Sequence, residues 1–121
     1  MEKVQGIGGV FLKARDPKAL ANWYREHLGI AIEAGGTHGV LMSSAADEMT
    51  VWSSFPENTT YFGPGPATFM LNYRVKNLDA MLAQLRAAGA KVDEKVDDYD
   101  YGRFGWATDP EGNRFELWEP K

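Results

Sequence analysis

The sequence contains no cysteine, which excludes disulfides, thiolate nucleophiles and zinc–thiolate sites. It has only two histidines, and neither falls in an HExxH or other metal-spacing pattern. His27 stands at the end of an expected helix, where a helix-end role accounts for it, and His38 lies in an expected turn. No apolar run approaches the roughly 18 residues of a spanning helix, and the opening MEKVQGIGG lacks the apolar core of a secretory signal. No membrane partner is expected, and a cytoplasmic location is the default. Lys and Arg number 13 against 17 Asp and Glu, for a formal net charge of -4. No basic cluster is dense enough for a nucleic-acid footprint. The acidic run Asp93, Glu94, Asp97, Asp98 and Asp100 would repel a phosphate backbone, so no nucleic-acid partner is expected. That run lacks the residue order of an EF-hand calcium loop and reads as a solvated turn. A Ser-His-Asp order, a phosphate loop and a dinucleotide fingerprint are absent as well.

What is present is globular. The 121 residues, 44% of them hydrophobic and 25% charged, suit one domain with a real core. The stretch Ile7 to Ala14 alternates as a strand. Asp16-Pro17 then marks a helix start, since the Asp carboxylate caps free N–H groups and Pro tolerates the first turn. Leu20, Trp23, Tyr24, His27 and Leu28 recur at helical spacing until Gly29. Short strands are expected at Ile30 to Ala34, Gly39 to Ser43 and Met49 to Ser53. Phe55 to Pro66 holds three of the six prolines and reads as a linker or a flap over a pocket. The pattern then restarts. Thr68 to Val75 is a strand, Asn77 a cap, and Leu78, Met81, Leu82 and Leu85 a helical stripe ending near Gly89. Strands are expected near Lys91 to Val96, Phe104 to Thr108 and Arg114 to Trp118.

The chain therefore reads twice as strand, helix, three strands. The expected fold is α+β: two paired βαβββ modules, at about 5–54 and 67–119, forming a curved eight-stranded mixed sheet around a central cavity. A ferredoxin-like sandwich competes but has only four strands in all.

Three segments, GGVFLKARDPKALANWYREHLGI, LNYRVKNLDAMLAQLRAAGA and the closing TDPEGNRFELWEP, resemble the glyoxalase, bleomycin-resistance and extradiol-dioxygenase superfamily, also called vicinal-oxygen-chelate proteins. The last segment is the most specific, because an Asp-Pro-x-Gly-Asn turn leading into an x-x-Glu-Leu strand is the usual ending of that family. In metal-dependent relatives His, Gln or Glu residues on the first and last strands form the ligand set. The resemblance places those positions at Gly9, Met70 and Glu116. Gly9 has no side chain and the Met70 thioether is too soft for the family's ions, so neither metal nor other cofactor is expected. The resemblance also implies a homodimer.

The strand period assigns the expected pocket. If Glu116 faces the cavity, so do Arg114 and Trp118, while Phe115 and Leu117 face a helix. Met70, Asn72 and Arg74 share the inner face of the central strand. Ile7, Gly9, Phe11 and Lys13 point inward from the first strand, with Trp52 joining from the fourth. Trp23 and Trp106 read as packing around the helices. Apolar walls with a few converging polar groups are the usual makeup of a ligand site. The alternative is a filled core in which Arg74 bridges to Glu116. Two functions fit: metal-free binding of a small, partly aromatic or carbonyl-containing molecule, or a lyase, isomerase or dioxygenase on a small oxygenated metabolite. In the second, Glu116 is general base or metal ligand, Arg74 or Arg114 an anion clamp, and Asn72 an orienting donor.

Overall fold

A computed structural model describes residues 1–41 and 49–121. The expected strand Gly39 to Ser43 ends outside the described residues, beyond Leu41. In chain order the described elements are β1 (Val4–Ala14), α1 (Pro17–Leu28), β2 (Ala31–Ile32), β3 (His38–Leu41), β4 (Thr50–Pro56) and β5 (Phe69–Val75). These are followed by α2 (Leu78–Ala87), β6 (Lys91–Val92), β7 (Asp97–Tyr99), β8 (Gly102–Thr108) and β9 (Arg114–Pro120). The class is α+β, and the strand–helix–strands unit occurs twice. Two compact units result, one of Gly8–Phe69 and one of Met70–Lys121 with Met1–Ile7.

In the Gly8–Phe69 unit, β1 pairs in parallel with β4, and β4 and β3 then β3 and β2 pair antiparallel. The helix begins where the sequence places it. Asp16 is extended and its side chain accepts from the Ala19 N–H at 3.0 Å, with Pro17 opening the first turn. Ala21 of α1 is buried with Ile32 and Trp52, and Leu12, Leu20, Tyr24 and Ile30 pack against them. Trp52 is therefore a correction. Its register partner is Val10, so it shares the helix-facing side with Leu12, and its ring lies 4.6 Å from that of Tyr24. Ser54, two residues on, faces the same way and donates its hydroxyl to the Pro17 carbonyl at 2.8 Å. The opposite side carries Phe11, whose ring meets Phe55 at 5.3 Å. Phe55 in turn stacks on Tyr61 and meets Phe62 edge-on, so the proline-rich segment packs its own aromatics here.

In the other unit, β5 pairs in parallel with β9, β9 antiparallel with β8, and β8 antiparallel with β6 and β7. Asn77 caps α2 through the Ala80 N–H at 3.0 Å. Glu119 accepts from the Leu78 N–H at 2.7 Å, which ties the helix start to β9. Val75, Leu78, Met81, Leu82 and Leu117 form the core beneath α2, with Tyr73 and Phe115 against it. Each fully buried aliphatic side chain here contributes about 1.5–3 kcal/mol. Because Tyr73, Val75, Phe115 and Leu117 face the helix, Asn72, Arg74, Glu116 and Trp118 face the other way.

The acidic run is a second correction. Asp97–Tyr99 forms a short strand on β8, making nine strands among the described residues where eight were expected. Its charges are distributed among cations: Asp97 faces Lys95 at 3.4 Å, and Asp98 meets Lys121 and Arg103. Tyr99 and Tyr101 stack at 5.3 Å on the hairpin. No helix among the described residues is long and apolar enough to cross a membrane.

Candidate functional site

The site starts from a turn. Asp109 Oδ1 accepts the N–H groups of Glu111 and Asn113, and Asn113 Nδ2 donates to Asp109 Oδ2, each at 2.9 Å. Gly112 sits at φ 88°, a conformation only glycine adopts without strain. The Asn113 side chain above all, with these backbone donors, holds the Asp109 carboxyl below its usual pKa. The turn fixes Thr108 opposite Arg114, and counting outward puts Trp106 opposite Glu116 and Phe104 opposite Trp118. Across the other edge of β9, Asn72 lies beside Glu116 and Arg74 beside Trp118.

Three strands thus deliver Asn72, Glu116 and Trp106 in one row. Asn72 Nδ2 donates to Glu116 Oε1 at 2.6 Å, and Trp106 Nε1 donates to Oε2 at 2.9 Å. Glu116 is only 1% exposed. A carboxylate taken this far from water is costly unless each oxygen is met by a donor, and charge-assisted bonds of this length are the stronger kind. Asn72 is 2% exposed, and its Oδ1 has no hydrogen-bond partner among the described residues.

The neighbours of this row are differently occupied. Arg114 NH1 binds both Asp93 carboxylate oxygens, at 2.9 and 2.8 Å, and its guanidinium lies 5.7 Å from the Trp106 ring centre. The buried Arg74 donates to the Ile7 carbonyl at 3.2 Å. Trp118 stacks on Phe104 with ring centres 6.0 Å apart and planes within 3°. Its indole nitrogen is buried, lacks a partner among the described residues and lies over Gly102, where a side chain would collide with it. Met70, fully buried, precedes Asn72 on the same face of β5.

Of the expected residues, Met70, Asn72, Arg74, Arg114, Glu116 and Trp118 therefore fall in one unit and on one face. Phe11 lies in the other unit beneath Phe55, and Trp52 lies there under α1. Trp106 was missed. It is not helix packing but the second donor to Glu116, and counting back from the Asp109–Asn113 turn is the signal that finds it. Trp23 is 52% exposed rather than packed. It lines an open groove of about 1080 Å³ in the Gly8–Phe69 unit, together with Lys13, Arg15, Tyr24 and Glu57.

The donor set does not fit a divalent metal of the kind the resemblance implies. A side chain at Gly9 would meet the Phe11 ring at 2.8 Å and the Val51 carbonyl oxygen at 3.1 Å, so that ligand position is filled by a hydrocarbon. Both Glu116 oxygens accept N–H groups. No three His, Cys, Asp or Glu side chains cluster among the described residues.

The glyoxalase-like domain profile matches residues 9–118, and the chain belongs to that family. No curated protein matches the sequence significantly. Solved structures share the fold. Methylmalonyl-CoA epimerase from Mycobacterium tuberculosis is 24% identical with a TM-score of 0.67, over 98% of this chain and 89% of that one. A variant of the Streptomyces coelicolor methylmalonyl-CoA epimerase, in complex with 2-nitronate-propionyl-CoA, is 16% identical with a TM-score of 0.74, over 98% and 99%. A glyoxalase/bleomycin resistance protein/dioxygenase superfamily member from Vibrio splendidus is 12% identical with a TM-score of 0.61, over 98% and 99%.

Proposed function

We propose that this glyoxalase-like protein binds a small, partly aromatic or carbonyl-containing molecule on the β5–β9–β8 face, without a metal. The observation that carries the reading is the buried Glu116 carboxylate, gripped by Asn72 and Trp106 on a face that is otherwise walled by Met70 and Trp118. The carboxylate and the two donors that hold it could be replaced together by apolar residues at little cost to stability, so the fold alone does not account for the polar row. Apolar walls around a few fixed polar groups suit recognition of a small oriented ligand. Isothermal titration of small aromatic alcohols, amides and ketones against wild type and Glu116→Ala tests this. Binding about tenfold or more weaker in the variant is expected, as for loss of a buried charge-assisted contact. Equal affinity in both proteins would refute it. Elemental analysis after growth in metal-supplemented medium should find no stoichiometric divalent ion. One ion per chain, lost in Glu116→Ala, would overturn the metal-free reading.

A catalytic reading is favoured by the same carboxylate and by the epimerases that share the fold. There Glu116 would take a proton from carbon next to a carbonyl. It predicts solvent deuterium incorporation into a bound carbonyl compound, abolished in Glu116→Gln. A homodimer is part of the proposal, and light scattering should give twice the 13.5 kDa of one chain.

A further inference from the structure

Asn72 has four hydrogen-bonding sites, and its environment fixes how they are used. The Asn72 amide nitrogen donates to Glu116 Oε1 at 2.6 Å. Trp106 Nε1 donates to Oε2 at 2.9 Å, so both Glu116 oxygens accept an N–H. The Asn72 oxygen is therefore turned away from the carboxylate. It is buried, and it has no hydrogen-bond partner among the described residues. An acceptor left unmet in the interior is costly, and a ligand that meets it recovers that cost on binding.

At the centre of the row the unmet group is an acceptor, Asn72 Oδ1, next to the Glu116 carboxylate that Asn72 Nδ2 holds. Within the row, Asn72 Nδ2 and Trp106 Nε1 donate to Glu116, while the Trp118 indole N–H, unpartnered among the described residues, belongs to the neighbouring row, beside Arg74 and Phe104. A ligand carboxylate would meet like charge and a second acceptor at this point. A neutral O–H or N–H would meet what it needs. We infer, resting on the proposed ligand-binding reading, that the site selects neutral ligands that present a hydroxyl or amide N–H to Asn72 Oδ1. Phenol-like and anilide-like groups are the matching class, because the Trp106 ring and Met70 lie on the same face.

Matched pairs that differ only in the donor test this: phenol against anisole, and acetanilide against N-methylacetanilide, titrated by ligand-observed NMR. In wild type the donor-bearing member should bind about tenfold tighter, the discrimination expected when a buried polar group is otherwise left unpaired. The ratio should collapse to about one in Asn72→Ala and persist in Trp106→Phe, which leaves Asn72 Oδ1 in place. The indole N–H resonances of each variant show whether it is folded. Equal binding of both members by wild type would overturn this inference while leaving the ligand-binding reading standing. A preference that survives in Asn72→Ala would overturn the assignment to Asn72. If no member of either pair binds the folded wild type, the ligand-binding reading and this inference both fall.

Discussion

Phe11 precedes its helix cap Asp16 by the same interval that separates Asn72 from Asn77. The two residues are thus equivalent points of the two modules. Phe11 is paired with Ser53, and Ser53 with His38, just as Asn72 is paired with Glu116 and Glu116 with Trp106. One module therefore sets Phe11, Ser53 and His38 where the other sets Asn72, Glu116 and Trp106. The first set is capped by its own aromatics, Phe55 with Tyr61 and Phe62. The second is a buried polar row with one acceptor left over. Equivalent strand order and pairing, β7 aside, thus support an apolar plug in one copy and a buried polar row in the other. The fold supplies positions, and the side chains at matched registers decide the chemistry.

The comparison can be strained by substitution. Trp52→Ala should cost about 3–5 kcal/mol in urea denaturation, because its ring is buried under α1. A loss under 1 kcal/mol would place Trp52 elsewhere. Next, Glu116→Leu should cost about 1–3 kcal/mol for each donor it orphans, Asn72 Nδ2 and Trp106 Nε1. The equivalent Ser53→Ala should stay within about 0.5 kcal/mol. Similar losses at both positions would erase the contrast between the modules. Gly102→Ala forces a methyl against the Trp118 indole nitrogen and to within 2.9 Å of the Glu119 carbonyl oxygen. It should cost about 1–3 kcal/mol and alter Trp118 emission.

Much of the fold is legible in the residues, whereas the contrast between the modules is not, since Phe11 and Trp52 read as part of the same pocket as Asn72 and Glu116. The faces of β5 and β9 followed from the period of two, because one apolar pair, Phe115 and Leu117, needed a helix over it. The caps Asp16 and Asn77 stand where their side chains can meet the third N–H of each helix. Trp52 was misassigned because β4 carried no anchor of its own. Its face is set by parallel pairing with Val10, a contact distant in sequence. The face of Trp106 is set close by in sequence, by the count across the Asp109–Asn113 turn that pairs it with Glu116. β7 is three residues long and acidic, too short for any periodicity, and forms because β8 offers its open edge.

The smallest effects concern surface charge. Arg103 binds both oxygens of Asp79, at 2.9 and 3.0 Å, and this hydrogen bonding holds the Asp79 carboxyl below its usual pKa. Asp79 is mostly exposed, so Asp79→Asn should cost only about 0.2–1 kcal/mol, less in 1 M salt. For a carboxyl with a depressed folded-state pKa, the added stability is present above the unfolded pKa and fades as pH falls through the folded value. Asp109 behaves alike, so the acid limb of the stability profile should flatten slightly in Asp109→Asn. An unchanged acid limb would count against the Asn113 bonds as its cause.

Four tryptophans divide evenly between the modules: Trp23 and Trp52 in one, Trp106 and Trp118 in the other. Their four indole N–H resonances, assigned by Trp→Phe substitution, report directly on which face takes a ligand. On titration with phenol, the Trp106 and Trp118 resonances should shift together and saturate with one affinity, while those of Trp23 and Trp52 stay in place. Movement of Trp23 or Trp52 with Trp106 and Trp118 unmoved would contradict the assignment of the site to the Asn72–Glu116–Trp106 row.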